Sequence, residues 1–267
     1  MGSKSYKEYL ERYQDNFSPA VYLFVYYPII VQSGKVTVEY DRYFADLEAF
    51  SLLRRYTSAP FWAYINCQGY KTSSREVPAP KLEYIRFNVF SALAYGAQGL
   101  FYWTYRQIPD TSAEKFYNAP VGTNGVRTNT WNYVQQINAE VTALAPVFSG
   151  AELIQCKHTG SIQYSGTQMM VDPVGPLMSI SSNSTKGVLV SWLFNNYSSA
   201  YISSDYLVIV NHDVEQSQTL KLTFSSFWTV SEIQVGINPS RLLFKKITSN
   251  EISRIIEPGG YLLFTWK

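Results

Sequence analysis

Four acidic side chains sit in polar segments that follow apolar runs: Glu39 and Asp41, then Glu76, then Asp110. A carboxyl group at such a place can give or take a proton, provided its surroundings tune it. Glu76 is the candidate for a site acid. Beside these acids stand groups suited to holding a polar ligand: Tyr26 and Tyr27 after "VYLFV", Asn66 and Gln68 in "YINCQ", and Trp103, Tyr105 and Arg106 in "FYWTYR". Aromatic faces next to amides and a guanidinium suit a molecule with apolar faces and a hydrogen-bonding rim, of which sugars are the common example. Cys67 and Cys156 have no metal-ligand spacing, and His158 and His212 are the only histidines. A metal site or a Ser-His-Asp triad is therefore not expected, and no motif calls for a cofactor.

These groups need elements to hold them, and the composition supplies the material. The chain has 267 residues, 46% of them hydrophobic. Its 22 Tyr, 15 Phe and 6 Trp make an unusual aromatic fraction of 16%, which serves either a core or flat binding platforms. A net charge of +2 with no Lys/Arg run argues against nucleic acid. No stretch is long and apolar enough for a membrane span, and "MGSKSYKEYLERYQ" does not read as a signal peptide.

The first 150 residues alternate helix and strand. Tyr6, Tyr9, Leu10, Tyr13 and Phe17 recur at helical spacing before the strand run "SPAVYLFVYYPII". Phe44, Leu47, Phe50 and Leu53 mark a second helix with Asp41 as N-cap, followed by the strand "APFWAYINC". A third, small-residue helix leads into "GLFYWTY", and a fourth spans 128–148 with Thr128 or Asn129 as cap. Strands apolar on both faces belong to a parallel sheet covered by helices. The long polar segments 31–40, 67–80 and 106–127 all follow strand C-terminal ends, where such folds place their sites.

After Gly150 the pattern changes. "SIQYSG", "GVLVSWLFNN", "DYLVIVNHD", "QTLKLTF", "SEIQVG", "RLLFKKI" and "GYLLFTWK" are short strand-like runs, with Pro258-Gly259-Gly260 as a turn before the last. This reads as an antiparallel β-sandwich over residues 151–267. His212 reads as a turn residue, and Trp192, Tyr197, Tyr201 and Tyr206 as either core or a sugar-binding face.

"YKEYLERY…VYYPI", "YFADLEAFSLLRRYTSAPFWAYI", "RFNVFSALAYGAQGLFYWTYR" and "WNYVQQINAEV" resemble the latter half of a β-galactosidase-like glycoside hydrolase, over about residues 5–150. The resemblance is to the (β/α)8-barrel enzymes of the large retaining clan, in particular relatives from gut bacteria. It implies a fold of α/β plus all-β class: residues 1–150 a partial (β/α)8 TIM-type barrel, holding the sixth, seventh and eighth strands, followed by the β-sandwich. It also implies a carbohydrate ligand and a periplasmic or extracellular setting. Trp103 and Tyr105 would then wall the barrel mouth, with Arg106 at its rim.

Retaining hydrolysis uses two carboxyl groups about 5–5.5 Å apart. In the clan resembled these end the fourth and seventh strands. The fourth strand is absent here, and Asn66, Cys67 and Gln68 end the seventh without an acid. Relatives carry an Asp where Val25 precedes Tyr26-Tyr27-Pro28. Two expectations follow: the C-terminal part of a hydrolase, inactive alone, or a non-catalytic carbohydrate-binding or assembly module. Three parallel strands leave two edges and an apolar face open, so a homodimer or the missing N-terminal barrel half should cover them.

Overall fold

In the computed structural model, which describes residues 6–196, 205–236 and 241–267, the sequence-predicted helices and strands of the first part fall close to where the periodicity puts them. In chain order they are α1 (Tyr6–Phe17), β1 (Tyr22–Val25), β2 (Ile29–Gln32), β3 (Lys35–Val38), α2 (Tyr40–Thr57), β4 (Phe61–Asn66), β5 (Gly69–Lys71) and β6 (Glu76–Val77). There follow α3 (Leu82–Ala94), β7 (Gly99–Trp103), β8 (Lys115–Tyr117), α4 (Asn129–Ala143) and α5 (Ala145–Phe148). The strands of the last part are β9 (Glu152–His158), β10 (Leu177–Ser182), β11 (Val188–Phe194), β12 (Asp205–Asn211), β13 (Gln218–Phe224), β14 (Val230–Val235), β15 (Leu242–Lys246), β16 (Glu251–Ile256) and β17 (Tyr261–Trp266). Among the described residues the chain is thus mixed α/β, with five helices and several sheets that form no closed barrel.

Contacts divide the chain into two units. One comprises Met1–Pro80, Ala97–Trp131 and Tyr164–Thr167; the other comprises Lys81–Gly96, Asn132–Gln163 and Gln168–Lys267. The expected division at residue 150 marks where helices give way to strands, and these units run across it.

In the first unit β1, β4 and β7 form a parallel sheet in the order β1-β4-β7. The period of two sorts their side chains. Tyr22, Phe24, Phe61, Ala63 and Ile65 are buried, where Phe50 of α2 meets Phe24 and Phe61 ring to ring. Leu23, Val25, Trp62, Tyr64 and Phe101 share the opposite face, and Leu23 and Val25 are 48% and 54% exposed. Gly99 lies opposite Trp62, and a Cβ there would come within 2.6 Å of the indole. The segments expected as plain loops hold further strands: β2 pairs with β3, and β5 pairs with both β6 and β8.

Two local expectations fail here. Asp41 does not cap α2: Glu39 holds the N-cap position, while the Asp41 carboxylate takes the Ser165 backbone N–H at 2.6 Å and hydroxyl at 3.0 Å. "SIQYSG" is no strand; its Tyr164 ring packs on Tyr40 and Phe44 of α2.

In the second unit β15-β14-β17-β12-β11-β9 make one sheet and β10-β13-β16 another. Alternate residues of both, among them Val190, Ile209, Leu222, Ile256 and Phe264, bury in one apolar cluster. The other face of the six-stranded sheet meets α3: Phe90 stacks on Tyr261 at 3.8 Å, and the Ser191 hydroxyl donates to the Ala94 carbonyl at 2.6 Å. The small residues of α3 allow that approach. Gly259 (φ 57°) closes the turn before β17 against α3, where a Cβ would collide with the Glu83 carbonyl. Thr128 caps α4 by accepting the Thr130 N–H, as the sequence suggested, and Pro146 falls in the first turn of a separate short α5. Tyr206 is core, as is the cluster that Trp192 joins; Tyr197 and Tyr201 lie outside the described residues.

His212 is not a plain turn residue. Its Nδ1 faces the Lys186 carbonyl at 2.9 Å, its Nε2 meets His158 Nδ1 at 3.1 Å, and His158 Nε2 meets the Tyr95 hydroxyl at 2.7 Å. A carbonyl can only accept, so His212 Nδ1 carries the proton and Nε2 accepts from His158 Nδ1–H. That leaves His158 Nε2 to accept from Tyr95, with both rings neutral. Burial presses His158 well below the usual histidine range and His212 down to about 4. The unfolded chain therefore binds more protons between pH 6.5 and the folded values, so stability is complete above about 6.5 and lost as pH falls. Urea titrations at pH 7, 6 and 5 should show stability falling by up to about 1.4 kcal/mol per pH unit for each imidazole. His212→Asn should flatten that slope.

Candidate functional site

The strand ends of the first unit gather the residues singled out by sequence. Cys67 N–H donates to the Trp103 carbonyl at 2.8 Å, which keeps the ends of β4 and β7 level. Burial of Cys67 raises its thiol to about 12, so it is a packed group and no nucleophile. Trp103 stacks on Tyr27 with ring centroids 5.6 Å apart and 21° between planes, and Tyr70 stands edge-on to it at 5.9 Å. Phe116 of β8 closes the group at 6.4 Å. The peptide bond from Trp103 to Thr104 is cis.

Next to this aromatic group lies a hydrogen-bonded chain. The Tyr26 hydroxyl donates to Glu39 Oε2 at 2.8 Å, and Arg75 Nη2 donates to the same oxygen at 2.6 Å and to the Tyr27 carbonyl at 2.7 Å. Thr72 accepts the Arg75 N–H at 3.0 Å and shapes the turn that presents the guanidinium. Arg42 and Arg75 both lie over the Tyr26 ring, at 5.1 and 5.8 Å. Burial, then the bond to Glu39, raises the Tyr26 phenol to about 12, so Tyr26 is a neutral donor near pH 7.

The other expected site residues divide. Asn66 is half-buried in register with Trp103, and its side-chain oxygen accepts the Gln68 N–H at 3.4 Å. Gln68 is fully buried, with Oε1 accepting the Ile108 N–H at 3.0 Å, so it braces the segment after β7 and does not stand on an open surface. Tyr105 is 61% exposed and lies edge-on to Trp131, while Arg106 donates to the Thr123 carbonyl at 2.9 Å. Glu76 pairs with Lys71 at 2.6 Å across the β5–β6 ladder. Asp110 accepts the Phe116 N–H at 2.9 Å, which lowers its pKa. Arg75 was missed in the sequence. Its one signal was the Thr72-to-Arg75 turn within a long polar segment.

The parallel strands thus end in stacked aromatics beside a carboxylate held by an arginine and a tyrosine. Residues 26–144 match the sequence model of the beta-galactosidase family of glycoside hydrolases. That region, which takes in Tyr26, Glu39, Gln68, Arg75 and Trp103, is therefore β-galactosidase-like. No curated protein matches the chain.

Arg75→Ala removes two charge-assisted or carbonyl contacts from a site about one-third exposed. It should cost about 1–2 kcal/mol of stability. Arg75→Lys, with one point donor where Arg75 reaches two acceptors, should recover part of this by thermal melting.

Proposed function

We propose that the chain binds carbohydrate at the Tyr27–Trp103 stack and is the C-terminal portion of a β-galactosidase-like hydrolase. In this reading β1, β4 and β7 are the last three strands of a (β/α)8 barrel, and the two sheets after Gly150 are its appended β-sandwich. The observation that carries it is the coincidence of the family match with a strand-end aromatic stack. A sugar face lies against Trp103, and its hydroxyls meet Glu39 and Arg75.

On its own the chain does not hydrolyse glycosides. Glu39 and Glu76 each hold a cation at 2.6 Å, and Asn66, Cys67 and Gln68 end β4. An acid/base and a carboxylate nucleophile are each worth orders of magnitude in rate. The same pairing favours the second reading, a binding or assembly module that kept the scaffold without the catalytic carboxylates. The open face bearing Leu23, Val25 and Phe101 supports cover by further barrel strands or by a second copy.

Titration of tryptophan fluorescence with lactose should saturate in the wild type and be lost in Trp103→Ala. Equal responses in both would exclude Trp103 from the site. In the same preparations a panel of aryl-glycosides should show no turnover, and robust turnover abolished by Glu76→Gln would overturn the inactive reading.

A further inference from the structure

The second unit holds a pocket that no part of the strand-end reading uses. β14 and β17 pair from Val230↔Trp266 to Glu232↔Phe264 and then part, β14 continuing beside β15 and β17 beside β12. Thr229 and Lys267 exchange both main-chain hydrogen bonds at 3.1 Å, which fixes the alternation. Residues two, four and six further along each ladder turn their N–H and C=O groups to the same side. Val235 and Tyr261 therefore direct their main-chain donors and acceptors toward the gap between the parted strands. α3 and α4 supply its other wall through Arg86, Gln136, Ala139 and Glu140, and the cavity is about 600 Å³. That volume lies within the range of small-molecule sites.

The charges in this pocket cancel. Arg86 holds the Glu140 carboxylate through both nitrogens, Nε at 3.3 Å and Nη2 to Oε1. Gln136 also donates to Glu140 Oε1, at 3.2 Å. Glu232 is satisfied from the opposite side by Arg254 at 2.9 and 3.0 Å. What remains is a set of main-chain donors and acceptors at the gap, together with Gln136, with no net charge and with the buried Ile233 and Leu263 as the floor. A hydroxyl both donates and accepts, so a ring of hydroxyls on a C–H frame satisfies such a mixed lining where a purely anionic or cationic ligand would not. The Tyr261 ring already stacks on Phe90, so contact comes through hydroxyl edges and not through ring stacking.

We propose that this pocket between the parted strands β14 and β17 and helices α3 and α4 is a second binding site, for a neutral polyhydroxylated molecule of mono- to disaccharide size. The inference stands on the pocket alone and holds whether or not the strand-end site binds sugar. Saturation-transfer NMR with galactose, lactose and myo-inositol tests it, using Trp103→Ala as background so that any signal is independent of the strand-end stack. Saturable transfer from at least one of the three is expected. Gln136→Ala should weaken it about fivefold, the consequence of one lost hydrogen bond. Ala139→Phe, which fills the cavity without removing a polar group, should abolish it in a variant that keeps its native circular dichroism. No saturable transfer in the Trp103→Ala background, or transfer unchanged by Ala139→Phe, overturns the proposal. Binding of an extended peptide in place of all three polyols would also overturn it and assign the gap to strand addition.

Discussion

The hydrogen bond from the Cys67 amide to the Trp103 carbonyl is the constraint on which the strand-end surface rests. Parallel strands can slip by two residues and keep their faces, so pairing alone does not set where they end. With β4 and β7 held level, Trp103 is carried to the height of the segment that leaves β1, and Tyr27 can stack on it. Arg75 then reaches the Tyr27 carbonyl and Glu39 together, which fixes the turn between β5 and β6. Slip β7 by two residues and Tyr105 would replace Trp103 opposite Asn66, breaking the stack.

Legibility followed the length of the pattern. β1, β4 and β7 were readable because each is a run of apolar or aromatic residues too long for a turn, and α1 and α2 because their aromatic residues recur at helical spacing. The strands that were missed are very short or interleave polar residues with apolar ones: β3, β5 with β6, β8, β9, β10 and β16. Their conformation comes from the partner strand, and a single sequence does not display a partner. "SIQYSG" failed for the converse reason: its alternation satisfies Tyr164 packing on α2 and no ladder.

The site was legible in residue type more than in role. Trp103 and Tyr27 were read as aromatic surface and do meet, and Tyr26 joins them through Glu39. Gln68 was read as a sugar contact because amides often serve so, but burial turns it to the Ile108 N–H. Arg75 lies 36 residues from Glu39 in sequence, and nothing local links them. The two histidines were discounted as too few for a metal or triad. Their pairing across 54 residues is a tertiary fact, set by burial between a tyrosine hydroxyl and a backbone carbonyl.

The state of Glu39 also bears on what the strand ends can do. A guanidinium and a phenol both donate to its Oε2. Such a carboxylate is a fixed acceptor. To shift that oxygen, Arg75 would have to leave, and Arg75 is also bound to the Tyr27 carbonyl. The network that holds the strand-end surface in place is thus the same network that occupies one oxygen of Glu39 from two sides.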